Sequence, residues 1–91
     1  MTSFLVETYT PGAADVADVG ARARSAGTTS APLGTGVRYL RSILVPGDEM
    51  CFHLFEARSV EAVRWAIERV GLAADRIVEA RTWSAAEEGA Q

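Results

Sequence analysis

Residues 37–79 constrain the fold of this chain more than any other stretch. Two runs rich in β-branched and aromatic residues, 37–45 and 49–56, meet at Pro46-Gly47-Asp48-Glu49. Proline sets φ and Gly47 is free to take a positive φ, so the connection predicts a hairpin. Ser59 then stands as a helix N-cap with Glu61 in the first turn. Val60, Val63, Ile67 and Val70 follow at the spacing of a buried helical stripe. Gly71 closes the helix in the position past the C-cap, and Leu72 supplies the apolar contact that accompanies such a cap. Residues 76–83 read as one more strand.

Upstream, residues 4–9 form a strand broken by Thr10-Pro11-Gly12. A helix is expected over residues 13–26, with Val16, Val19, Gly20 and Ala23 on its buried side. Asp15 and Asp18 lie near its start and Arg22 and Arg24 near its end, as the macrodipole favours. Residues 27–36 carry no periodicity and collect Gly, Thr, Ser and Pro, which predicts a loop or a frayed helix end. The order is therefore β-α-β-β-α-β, an α+β ferredoxin-like domain. Its four-stranded antiparallel sheet carries two helices on one face, leaving the other face for a partner or a ligand. One domain over residues 1–83 and a disordered tail over 84–91 are expected.

A chain of 91 residues buries only about 60–65% of its unfolded surface, so self-association would help its stability. The net charge of -3 offers no basic field for nucleic acid. All nine basic residues are arginines, which gives no mechanism by itself. The first residues lack a basic start, and no apolar run approaches the roughly 20 residues needed to span a bilayer. A cytoplasmic protein with neither nucleic acid nor membrane as partner is expected. Cys51 is the only cysteine, so neither an internal disulfide nor a cysteine-rich zinc site can form.

Strand alternation supplies the candidate site. It places Phe4, Val6 and Thr8 on one face of the first strand and Leu5, Glu7 and Tyr9 on the other. In the third strand Cys51, His53 and Phe55 alternate with Phe52, Leu54 and Glu56. In the fourth, Glu79 is expected to share a face with Ile77, Arg81 and Trp83. With Tyr39 and Arg41 turned outward, the face away from the helices would gather Glu7, Tyr9, Tyr39, Arg41, Glu56, Glu79 and Trp83. Such a face suits a metal or a cationic or hydroxylated ligand. The competing account is that the acids pair with Arg41 and Arg81 across the sheet or a dimer seam.

His53, the single histidine, points towards the helices on this parity. It is either a core histidine with one satisfied hydrogen bond or a general base in a pocket beside the sheet. No serine or second histidine lies near it in the sequence. A Cys51/His53 pair supplies only two metal ligands, and Cys51 reads as a small apolar residue. Trp65, off the main stripe of its helix, either covers the helix edge or packs on a partner. Gly34-Thr35-Gly36 precedes a strand and lacks the Walker lysine, so it is no phosphate loop.

Four segments together resemble a family of small actinobacterial proteins. They are FLVETYTPG from Phe4 to Gly12, GVRYLRS from Gly36 to Ser42, CFHLFEA from Cys51 to Ala57 with Ser59, and DRIVE from Asp75 to Glu79. That family is classed as a domain of unknown function, and one member is described as nickel-binding. The resemblance implies a ferredoxin-like fold and a homodimer of the dimeric α+β barrel type. The nickel-binding member has histidines at the end of its first strand and the start of its second. Thr8, Tyr9 and Arg38 stand at the positions that look equivalent. Nickel favours imidazole nitrogen among protein ligands, so one histidine per chain predicts neither a tight nickel site nor any other cofactor.

Three functions fit these readings. The first is a small homodimeric protein of undefined role that binds a small-molecule ligand and, at most weakly, a metal. The second is a cofactor-independent cyclase or monooxygenase acting on an aromatic, polyketide-like molecule. There His53 is the base, Tyr9, Tyr39 and Trp83 shape the pocket, and Arg41 steadies an enolate; fold analogy motivates it. The third is a structural or regulatory protein whose only partner is itself.

Overall fold

The computed structural model describes residues 1–13, 16–28 and 36–83. The elements are β1 (Thr2–Tyr9), α1 (Val16–Thr28), β2 (Val37–Val45), β3 (Met50–Ala57), α2 (Val60–Arg69) and β4 (Arg76–Ala80). The sheet order is β2-β3-β1-β4 with every pair antiparallel. This is the expected ferredoxin-like arrangement. The tail over 84–91, Asp15 and most of the expected loop over 27–36 lie outside the described residues.

The core lies between the sheet and the two helices. Phe4, Val6, Phe55 and Ala57 from the sheet meet Ala23 and Ala26 of α1 and Val63, Ala66 and Ile67 of α2. Val6, Phe55 and Val63 are fully buried, each contributing about 1.5–3 kcal/mol of transfer free energy. Alanines on α1 let that helix lie close to the strands.

Local chemistry explains where α2 starts and stops. The Ser59 hydroxyl accepts from Ala62 N at 3.2 Å, satisfying one of the orphan donors of the first turn. At the other end Gly71 takes φ 69°. Gly71 N donates to Glu68 O at 3.2 Å and Leu72 N to Ile67 O at 3.0 Å. That pair of bonds is the Schellman motif, and buried Leu72 closes it against the core.

Four expectations need correction. The first is the end of α1, which runs past the expected Ala26 to Thr28, so that Gly27 takes the helical of its two readings. A Cβ on Gly27 would overlap the Cβ and backbone nitrogen of Tyr39, so glycine there permits the helix to touch β2. Arg22 is consequently mid-helix and serves the other helix instead. Its Nη1 donates to Val70 O at 3.0 Å and Gly71 O at 3.4 Å, placing a cation at the negative end of α2. In the hairpin, Glu49 rather than Gly47 adopts the left-handed conformation, with φ 53°. Glu49 is held there by bonds that only this residue makes: its carbonyl accepts from Thr10 N at 2.7 Å and its carboxylate from Gly12 N at 2.6 Å. Last, β4 ends at Ala80, three residues before Trp83.

Candidate functional site

Directly paired residues of antiparallel strands share a face, so the register assigns both faces. On the open face Glu7 and Tyr9 of β1 pair with Phe52 and Met50 of β3. Leu5 pairs with Leu54 on one side and Val78 on the other, and Glu7 also pairs with Arg76. Arg41 and Ile43 of β2 pair with Leu54 and Phe52, and Arg38 with Glu56. Glu7, Tyr9, Arg41 and Glu56 therefore lie on the open face, as the alternation predicts.

Glu79, Tyr39 and Trp83 do not join them. Glu79 pairs with Phe4 and Ile77 with Val6, so Ile77 packs on the core and Glu79 sits at the rim of the helix-facing side. The parity of β4 is the reverse of the expected one, and Arg76, Val78 and Ala80 face outward. Tyr39 pairs with Phe55 and meets its ring edge-on at 5.7 Å between centroids. Trp83 is exposed beyond the end of β4.

The expected carboxylate trio thus dissolves into ion pairs. Arg76 Nε lies 3.1 Å from Glu7 Oε2, and Arg38 Nη1 lies 3.5 Å from Glu56 Oε1. The acids pair within one chain, with Arg76 and Arg38 rather than with Arg41 and Arg81. Between these pairs the face is apolar, through Leu5, Ile43, Phe52, Leu54 and Val78. Tyr9 and Ile43 are 54% and 51% exposed, so they carry this apolar surface into solvent.

The helix-facing side holds a cluster that the sequence does not announce. The β2–β3 register slips between Tyr39 and Arg41, leaving Leu40 as the extra residue of a β-bulge. Tyr39 and Ser42, three residues apart, consequently face the same way. Tyr39 Oη lies 2.7 Å from Ser42 Oγ, and Ser42 Oγ lies 2.7 Å from His53 Nδ1. His53 is wholly buried and its Nε2 has no hydrogen-bond partner among the described residues. Burial lowers its pKa to about 4, so the ring is neutral near pH 7. Burial also raises the Cys51 thiol, opposed by a hydrogen bond from the Phe52 backbone; the cysteine is a protonated core residue.

Trp65 is half-buried against the core and its ring carries the Arg69 guanidinium 4.6 Å from the centroid, so it covers the helix edge. Among the clefts that the described residues form at the rim of the domain, three have volumes of about 410 to 450 Å³. One is lined by Glu79, Arg81 and Trp83, one by Thr8, Thr10, Asp18, Arg22 and Leu72, and one by Val37, Arg38 and Arg58. His53 lines none of them.

A four-stranded antiparallel sheet with two helices layered on one face defines a ferredoxin-like α+β domain. Residues 4–80 match the family described as nickel responsive protein SCO4226-like, and the chain belongs to that family. The crystal structure of SCO4226 from Streptomyces coelicolor A3(2) is similar, with a TM-score of 0.66 and 20% identity. The match covers 90% of this chain and 99% of that one. At that identity the likeness shows the fold alone. No curated protein sequence matches the chain.

Whether nickel suits these residues is a question of donors. Among the described residues no three His, Cys, Asp or Glu side chains come together. The one imidazole is buried with Nδ1 held by Ser42, and Glu7 and Glu56 are held by arginines. The described donors of a single chain do not fit a nickel ion. No helix among the described residues is long and apolar enough to cross a membrane.

Proposed function

We propose that this protein is a small homodimer, with the open sheet face as its seam, that holds a small ligand outside that seam and binds nickel weakly if at all. One observation carries the reading: no described element covers the apolar sheet face, and its acids Glu7 and Glu56 pair with Arg76 and Arg38. A second copy suits such a face. Two like-charged surfaces repel, whereas a surface whose acids are paired within the chain, leaving Arg41 as its residual charge, can meet its own image and gain by burying Ile43, Phe52 and Tyr9. Arg41 is the open face's cation without an ion-pair partner among the described residues. The rim clefts have the volume that small ligands occupy. Light scattering across the micromolar range tests the dimer, and calorimetric titration with nickel tests the metal. A stoichiometric, sub-micromolar nickel site would overturn that part of the reading.

The Tyr39–Ser42–His53 chain favours a second reading, a cofactor-independent cyclase or monooxygenase with His53 as base. Two properties count against it. A ring with a pKa near 4 is a poor base at neutral pH, and none of the three rim clefts reaches His53. We read the chain of hydrogen bonds as structural support for the β2 bulge. A third reading, a purely structural self-associating protein, differs from the first only in taking no ligand.

A further inference from the structure

We infer that the cleft between the start of β2 and the β3–α2 junction binds a small oxyanion, a phosphate-bearing or carboxylate-bearing molecule. The inference rests on the ligand-binding reading above and names the chemistry of its ligand. Arg38 stands at the edge of the open face, so the cleft borders the proposed seam. The cleft has a volume of about 410 Å³ and is lined by Met1, Gly36, Val37, Arg38 and Arg58. Its lining side chains carry two guanidiniums and no acid, with Glu56 meeting Arg38 at 3.5 Å from outside the lining. The other two rim clefts each set an arginine beside an acid, Arg22 with Asp18 and Arg81 with Glu79. In a chain with a net charge of -3, a cleft lined by cations alone is a local reversal of sign.

Arg58 is free to act, and Arg38 is held only by one long contact to Glu56. Arg58 has no acidic partner among the described residues. Arg38 reaches Glu56 at 3.5 Å, the outer limit of a hydrogen bond, with its own side chain 74% exposed. A guanidinium presents paired N–H donors in a plane that matches a carboxylate or phosphate, so an oxyanion would take two such contacts at once. Gly36, exposed at the cleft mouth, adds no side chain to obstruct it.

Inorganic phosphate and succinate, titrated separately at constant ionic strength and followed by amide chemical shifts, test the inference. Saturable shifts at Gly36, Val37, Arg38 and Arg58 are expected with one of the two, and which one identifies the ligand's anionic group. Arg58→Gln and Arg38→Gln should each weaken that binding about tenfold, the loss of one charge-assisted contact. Both side chains are exposed, so folding should survive, and circular dichroism checks this. Non-saturating shifts with both anions, or binding unchanged in both variants, would overturn the inference. Light scattering on the same samples reports the dimer independently.

Discussion

Ser42 Oγ lies 2.7 Å from His53 Nδ1, tying β2 to β3 on the helix-facing side, beneath the helices. The contact exists because the bulge at Leu40 turns Ser42 to the same side as Tyr39. It leaves a neutral imidazole wholly buried, and that has a consequence for stability.

His53 is held at a pKa of about 4 when folded by desolvation, against about 6.5 when unfolded. A lowered histidine pKa means the unfolded chain binds more protons between those values. Its contribution is therefore complete above about pH 6.5 and is lost as pH falls towards 4. We expect urea denaturation to show a loss of about 2 kcal/mol between pH 7 and pH 5, a window above most carboxylate titration. His53→Leu should remove most of that slope. A wild-type midpoint unchanged across the window would refute the buried neutral histidine.

Two glycines of α1 should respond in opposite directions to alanine. At Gly27 a Cβ would overlap Tyr39, so Gly27→Ala should cost about 1–3 kcal/mol as helix and strand separate. At Gly20 a Cβ meets nothing within 4 Å, so Gly20→Ala should stabilise by up to about 1 kcal/mol through helix propensity. Thermal melts of the two variants at one protein concentration check the difference in sign.

Arg22 joins the helices by donating to the last carbonyls of α2 while pairing with Asp18 at 2.9 Å. Arg22→Met keeps most of the side-chain volume and should cost about 1 kcal/mol, the worth of a charge-assisted cap at a partly exposed site. Gly71→Ala should cost more. It strains a backbone at φ 69° and places a Cβ 2.8 Å from Arg22 Nη1. Denaturation of both single variants and the double variant measures their coupling; strict additivity would mean the two residues do not interact.

Much of this was readable in the residues. Uninterrupted alternation in β1 and β3 gives correct faces for Val6, Glu7, His53 and Glu56, because one side of each strand must be buried. Ser59, Gly71 and Leu72 mark the ends of α2 through chemistry local to each terminus. Where the signal is weak, packing decides. Ile77 and Val78 are adjacent and equally apolar, so a five-residue strand carries no preference for either parity, and pairing with Val6 sets it. A bulge leaves no trace in composition, which hides the approach of Ser42 to His53 and turns Tyr39 inward. Gly27 resembles a loop residue because helix propensity disfavours glycine, whereas the fold uses it for close approach to β2.

The central claim, that the open sheet face is a dimer seam, is tested most directly by light scattering on the wild type and on Ile43→Glu. Ile43 is 51% exposed on one chain, so a charge there should leave the protomer folded while opposing burial against a second copy. The wild type should have twice the mass of one chain at micromolar concentration, and Ile43→Glu should have the mass of one. A monomeric wild type, or a variant that stays dimeric, would contradict the account.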